Sequence, residues 1–261
     1  MIGGQMPMWP GGLQMSDPSS EFLAAIALHS AGLADAADGN LTAAVEHCPG
    51  WTVADLVHHL TEVQWLWATI VEERLTAPPE ATRRPARAEV DRLIPSLRSE
   101  SERLVRVLDA APAADHVYTW APAQRDVAFV TRHQAQEAAV HHWDAAHARG
   151  DAAFIDAAIA ADAVEEFLTF SVSSDADPAE PPRPALDGRF ALSAEADAGW
   201  TVSDGRAPGT VAWTRGVDEG TPTIAASAAD LLLWLYGRID LDTSRVAPDL
   251  VARFRALCFT D

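Results

Sequence analysis

The sequence predicts an α+β protein in which a four-helix bundle is followed by a smaller domain with an antiparallel sheet. Two observations predict this fold class. Four long segments before residue 150 carry apolar side chains at helical spacing and are separated by Pro or Gly. From about residue 189 the pattern changes to short segments bounded by turn residues, which is typical of β-strands. A hydrophobic content of 48% is sufficient to fill a core in each part.

The bundle helices are predicted from their apolar spacing and their capping residues. Thr52 has the position of an N-cap, and Asp55 follows three residues later, as in a capping box. Gly150 is suited to end the fourth helix. We expect the four helices at residues 21–37, 53–75, 88–108 and 124–150. Long consecutive helices of this kind favour a bundle, in which metal and cofactor sites form where helices face each other.

The second domain is predicted to combine helices with a small sheet. A Pro-rich, acidic segment at 171–184 is expected to be a linker or loop. We expect helices at 154–170, 228–237 and 246–257, and strands near 189–193, 199–203, 209–214 and 223–226. The predicted division of the chain is a disordered or tag-like segment at 1–19, the bundle at 20–152 and the α+β domain at 153–261.

Charge and cysteine content exclude several classes of partner. The net charge of -19 disfavours nucleic acid and anionic membrane surfaces, because both would be repelled. No apolar run is long enough to span a bilayer, and the N-terminus lacks the pattern of a signal peptide. Cys48 and Cys258 form no Cys-x-x-Cys motif, so we expect reduced thiols and a cytoplasmic protein.

Glu137 and His141 are the strongest candidates for metal ligands. Because they are four residues apart, both lie on one face of the predicted fourth helix, about 6 Å apart along its axis, and can meet at one cation. His59, on the predicted second helix, is the candidate third ligand. Two imidazoles and one carboxylate leave a coordination position open, which indicates catalysis rather than a structural site. Asp144 is close enough to orient His141, although a solvated position near the helix end fits equally well.

Other histidines compete for these positions. His133 lies on the same stripe as Glu137, but it is two turns from His141, about 12 Å. Only one of these two histidines can therefore share an ion with Glu137. His58 is the alternative to His59, which is favoured because it shares the apolar face of its helix.

Three stretches resemble the mycothiol-dependent maleylpyruvate isomerase family. Two of them lie in the bundle: residues 49–60, Pro-Gly-Trp-Thr-Val-Ala-Asp-Leu-Val-His-His-Leu, and residues 137–144, Glu-Ala-Ala-Val-His-His-Trp-Asp. The third, residues 229–238, Ala-Asp-Leu-Leu-Leu-Trp-Leu-Tyr-Gly-Arg, resembles the signature of the family's C-terminal domain. The three stretches occur in the family's order and cover nearly the whole chain from about residue 20. The resemblance implies a DinB-like metal-binding bundle followed by the family's C-terminal domain.

The family's metal ligands correspond to His59, Glu137 and His141. The resemblance implies zinc most often, although another divalent metal is compatible, with mycothiol as the thiol cosubstrate. Many members carry His where this chain has Gln136, and Arg where it has His142. These departures leave the ligands in place and predict an altered pocket. Abundant Ala and the absence of Lys indicate GC-rich coding, as in actinobacteria.

Arg238 is the candidate catalytic residue outside the bundle. It follows Gly237 at a predicted helix end, and its planar guanidinium is suited to bind a carboxylate through two parallel hydrogen bonds. The resemblance places it in the family's C-terminal signature. A surface Arg that interacts with the C-terminus of its helix is the alternative.

Together these features predict an enzyme that uses a low-molecular-weight thiol, mycothiol, for isomerisation or S-transfer on a small electrophile such as maleylpyruvate. Two other functions fit the same residues. A site of two His and one carboxylate also suits a non-haem iron enzyme. A non-catalytic protein that binds a metal or a ligand is the second alternative.

Overall fold

The computed structural model describes residues 18–121, 123–172, 183–195, 198–207 and 209–259. In these residues five α-helices and two short 3-10 helices, Ala81–Arg83 and Val90–Arg92, precede a four-stranded sheet, and two α-helices follow it. The helices are α1 (Pro18–Ala37), α2 (Val53–Glu72), α3 (Leu93–Ala110), α4 (Val127–Arg149), α5 (Ala157–Phe170), α6 (Ala228–Leu235) and α7 (Pro248–Leu257). The strands are β1 (Arg189–Ser193), β2 (Gly199–Asp204), β3 (Val211–Arg215) and β4 (Thr223–Ala225). This order confirms the predicted α+β class.

Local sequence signals explain where the helices that carry the site begin and end. Thr52 and Asp55 form the predicted capping box of α2, in which each side chain accepts a hydrogen bond from the other's backbone N–H. The Asp126 carboxylate caps α4 at the N–H of Phe129. Gly150 ends α4 in the left-handed conformation, with φ of 82°, as expected of a C-terminal Gly.

The sheet is mixed, whereas the sequence predicted an antiparallel one. Its strand order is β3-β2-β1-β4, and β4 pairs with β1 in parallel while the other two pairs are antiparallel. The connection at 216–222 therefore carries the chain from one edge of the sheet to the other. Consecutive short strands suggested hairpins, but β4 instead places Ile224, which is fully buried, in the core beside β1.

Apolar packing forms three clusters. Two lie mainly among α1–α4, one of them with Ile159 of α5, and a third joins α4 and α5 to the sheet, α6 and α7. Ala139 and Val140 of α4 belong to this third cluster, so one helix packs on both sides of the predicted boundary at residue 152.

Two predicted segments fall largely outside the described residues. These are the N-terminal segment before α1, which begins at Pro18, and most of the Pro-rich segment, at 173–182. None of the described helices has the length and apolarity that crossing a membrane requires.

Candidate metal centre

The structure brings His59, Glu137 and His141 together between α2 and α4. His59 Nε2 lies 3.0 Å from Glu137 Oε1, and His141 Nε2 lies 3.4 Å from the same oxygen. The two imidazoles meet edge to face, with ring centroids 5.0 Å apart. One potential ligand atom from each residue lies within 4.8 Å of those of the other two. Two helices thus place three donors around one point.

These spacings fit a tetrahedral metal. Two ligand atoms that are each about 2.05 Å from a zinc ion are about 3.3 Å apart at the tetrahedral angle. The two measured contacts to Glu137, 3.0 and 3.4 Å, lie on either side of that value. A set of two imidazoles and one carboxylate suits zinc and also iron. The residues therefore fit a divalent metal such as zinc or iron.

A buried carboxylate holds the second nitrogen of His141. The His141 Nδ1–H donates to Asp144 Oδ2 over 3.1 Å, which directs Nε2 towards Glu137. Asp144 in turn accepts two hydrogen bonds from Arg238, from Nε at 3.1 Å and from Nη2 at 2.8 Å. Asp144 is only 1% exposed and Arg238 only 9%. A chain of hydrogen bonds therefore runs from Arg238, just beyond α6, through Asp144 to His141, a proposed ligand.

The competing histidines have other partners. His58 lies 3.5 Å from Glu62 on its own helix. The His142 imidazole contacts His29 of α1, with 3.1 Å between the Nδ1 atoms. Neither histidine belongs to a group of potential ligands in the described residues.

Burial and charge act in opposite directions on the proposed ligands. Burial by itself would raise the pKa of Glu137, but His141 and His59 lower that pKa well below its usual value. Burial by itself would lower the pKa of His141, but Glu137 and Asp144 raise it to about 9. The centre is therefore an anionic carboxylate that attracts positive charge, from a proton or from a metal ion.

Arg238 lies at the wall of the site. One edge of its guanidinium, formed by Nε and Nη2, already donates to Asp144. Gly237, with φ of 72°, turns the chain after α6, and the Arg238 N–H donates to Leu233 O over 2.8 Å. Nη1 donates to the Tyr236 carbonyl over 3.0 Å. The structure thus gives Arg238 a partner, Asp144, that the sequence did not reveal. Anion binding by Arg238 stays a prediction.

The proposed ligands line a cavity of about 700 Å³. Its walls come from α2, α4, α5, the residues that follow α6 and the 47–51 segment, together with Trp120 and Phe259. Cys48 also lines the cavity, and its Sγ lies 3.9 Å from Asp144 Oδ2. Burial and the Asp144 carboxylate raise the pKa of the Cys48 thiol to about 11, so this cysteine is a poor nucleophile.

Sequence reasoning missed the far end of this cavity. There His133 Nδ1 lies 2.7 Å from Glu166 Oε1, and Gln136 donates to the Tyr236 hydroxyl. The signal available in the sequence was an acidic residue on a largely apolar helix, because Glu166 of α5 is buried and acids are seldom buried without a partner. The structure also brings together a solvent-facing group of Glu46, His47 and His147 that the sequence did not predict.

A comparison with protein families supports the resemblance seen in the sequence. Residues 22–146 match the mycothiol maleylpyruvate isomerase N-terminal domain. The match runs from Phe22 in α1 to Ala146 near the end of α4 and therefore includes all three proposed ligands. Neither the curated proteins nor the solved structures gave a significant match. Residues 22–146 therefore form a domain of the mycothiol maleylpyruvate isomerase N-terminal type.

Proposed function

We propose that the protein is a cytoplasmic, metal-dependent enzyme that uses a low-molecular-weight thiol, mycothiol, for isomerisation or S-transfer on a small electrophile. The convergence of His59, Glu137 and His141 at the wall of a large cavity is the observation that carries this proposal. The family name supplies mycothiol as the thiol. Three protein ligands leave a coordination position open towards the cavity, as catalytic sites require.

In this proposal His59, Glu137 and His141 hold zinc. When bound there, the ion supplies a positive charge that favours the anionic form of a thiol at neutral pH. The chain's own residues prepare the site. Asp144 keeps the His141 Nδ1 protonated, so that the Nε2 lone pair is available. Arg238 balances the charge of Asp144, which would otherwise be buried without a partner.

The reaction follows from thiolate chemistry. The sulfur forms a bond to one carbon of a conjugated double bond, and the electron pair of that bond moves to the conjugated carbonyl oxygen. Rotation about the resulting single bond is then free. Return of the electron pair expels the thiolate and leaves the isomerised product. If the adduct is instead protonated at carbon, the sulfur stays attached and the outcome is S-transfer.

Arg238 remains in the proposal as the anchor for a substrate carboxylate. It lines the same cavity, and its Nη1 carries a second N–H besides the one directed at the Tyr236 carbonyl. Turnover with Arg238→Lys tests this role. Lys retains the charge but not the paired N–H groups, so we expect a raised KM for the electrophile with bound zinc nearly unchanged. An unchanged KM would exclude Arg238 as the anchor of the substrate carboxylate and leave it only its ion pair with Asp144.

Metal analysis of single variants tests the metal centre. We expect His59→Ala, Glu137→Ala and His141→Ala each to lose most of the zinc found in the wild type after chelator-free purification. His58→Ala and His142→Ala are matched controls, since each changes a neighbouring histidine that has another partner. Full zinc occupancy in Glu137→Ala would remove this centre from consideration.

Turnover assays separate the alternatives. Zinc-loaded protein should convert maleylpyruvate, or a related conjugated electrophile, only when mycothiol is present. Iron in the purified protein together with oxygen-dependent turnover would favour an iron enzyme instead. Stoichiometric binding without turnover, over panels of thiols and electrophiles, would favour a binding protein.

A further inference from the structure

The end of the cavity near His133 carries a second group of polar side chains. It is formed by His133, Gln136 and Glu166, all of which line the same cavity as the proposed ligands. Gln136 and Glu166 are each only 5% exposed. Gln136 Oε1 and Glu166 Oε2 are buried and have no hydrogen-bond partner among the described residues. Such oxygens are unfavourable unless water or a ligand donates to them.

The chemistry of these two oxygens defines what can bind. Both are acceptors, so the ligand must offer at least two hydrogen-bond donors. The other oxygen of Glu166 lies 2.7 Å from His133 Nδ1, so the carboxylate already has a partner for its charge. The ligand therefore need not be a cation. Neutral hydroxyl groups meet these requirements, and they can replace ordered water without losing its hydrogen bonds.

Aromatic side chains surround this polar pair. Trp67 and Trp120 meet the His133 ring edge to face, with centroid distances of 5.8 and 5.3 Å. Phe170 packs against Trp120 at 5.1 Å, and all three line the cavity. Flat apolar walls beside buried acceptors suit a ring whose faces are C–H groups and whose edge carries hydroxyls. A sugar or cyclitol ring has this chemistry.

The position of this end of the cavity indicates which ligand reaches it. Along α4, His133 is one turn from Glu137 and two turns from His141, about 6 and 12 Å. A small electrophile must keep its reacting carbon beside the sulfur, which leaves little of it to extend along the helix. The thiol itself, held at the metal by its sulfur, is the ligand whose other end can extend along the helix.

We propose that Gln136 Oε1 and Glu166 Oε2 bind the hydroxylated ring of the thiol cosubstrate against the walls formed by Trp67 and Trp120. This subsite rests on the proposed thiol chemistry at the metal centre. It also gives a role to Gln136, at which this chain departs from many family members.

Calorimetric titration of the zinc-loaded protein with two thiols tests the subsite. The probes are mycothiol, which carries hydroxylated rings, and N-acetylcysteine, which lacks them. Each of the two buried hydrogen bonds should contribute about tenfold in affinity. We therefore expect wild type to bind mycothiol roughly 100-fold more tightly than N-acetylcysteine. Gln136→Leu and Glu166→Leu should each reduce this preference by about tenfold. In each variant the affinity for N-acetylcysteine is the internal reference.

Gln134→Leu is the matched control. Gln134 is fully buried on the same helix, also lacks hydrogen-bond partners among the described residues, and is not part of the cavity wall. It should retain the full preference for mycothiol. Equal affinity of wild type for both thiols, or a preference unchanged in Gln136→Leu and Glu166→Leu, would overturn the subsite while leaving the proposed function intact. Failure of both thiols to bind the zinc-loaded protein would overturn the proposed function as well.

Discussion

Asp144→Asn is the substitution that tests most directly how Asp144 and Arg238 support the proposed metal centre. The carboxylate accepts from His141 Nδ1 at 3.1 Å and from Arg238 at 2.8 and 3.1 Å. An amide has one acceptor oxygen in place of two and adds a donor group. That donor must face either the His141 N–H or the guanidinium, and Arg238 is left buried without a counter-charge.

Two effects of different size follow. Loss of a carboxylate that orients a ligating His typically lowers metal affinity about 10- to 100-fold, equivalent to about 1.4–2.7 kcal/mol. Removal of one partner from a buried ion pair costs about 3–5 kcal/mol of stability. Since 1 kcal/mol corresponds to about 2–4 °C in a protein of this size, the Tm of metal-free Asp144→Asn should fall by about 10 °C.

Competition with a chelator measures zinc affinity, and thermal unfolding of the metal-free protein measures stability. Asp162→Asn is the matched control. Asp162 also binds an arginine, Arg132, through both oxygens, at 2.9 and 3.0 Å, but it does not line the cavity. Its substitution should leave zinc affinity unchanged.

A double variant separates the two effects. Asp144→Leu combined with Arg238→Met replaces the buried ion pair by apolar side chains, which is often neutral or stabilising. Stability should therefore return towards wild type, while zinc affinity stays low because His141 Nδ1 still lacks its acceptor. Wild-type zinc affinity in Asp144→Asn, or recovery of both properties together in the double variant, would refute the reasoning.

Two further predictions concern the contact between α1 and α4. Burial, with a smaller contribution from His142, lowers the pKa of His29 to about 4 despite the opposing charge of Asp156. His29 is therefore neutral when folded, and its contribution to stability is present above pH 6.5 and is lost as the pH falls towards 4. Denaturant unfolding of His29→Phe should show a weaker pH dependence in that window than wild type, and an equal dependence would contradict the assignment. Gly32→Ala should lower the Tm, although Ala normally favours a helix, because its Cβ would lie 2.4 Å from the His142 ring. An unchanged or raised Tm would show that this ring can move freely.

The sequence by itself determined the class of the protein and the local geometry of the proposed site. The caps at Thr52 and Gly150 are recognisable because they depend on residues adjacent in the chain. The spacing of Glu137 and His141 placed both on one face of α4, since helical geometry relates residues four apart. The bundle, the α+β class and the family of the N-terminal domain were predicted from such local patterns and motifs, and they are confirmed.

Contacts between distant elements were decided only by the tertiary structure. Helical spacing left His58 and His59 as alternatives, and the packing of α2 on α4 turned His59 towards Glu137. No local pattern relates Asp144 to Arg238, which are 94 residues apart in sequence.

The parallel pairing of β4 with β1 and the meeting of His133 with Glu166 have the same origin. Each of these contacts depends on how whole helices and strands rotate and pack to bury their apolar faces. That packing is determined by many residues together. A helix face can be read from a few residues, but the partner of that face is determined by the packing of the entire core.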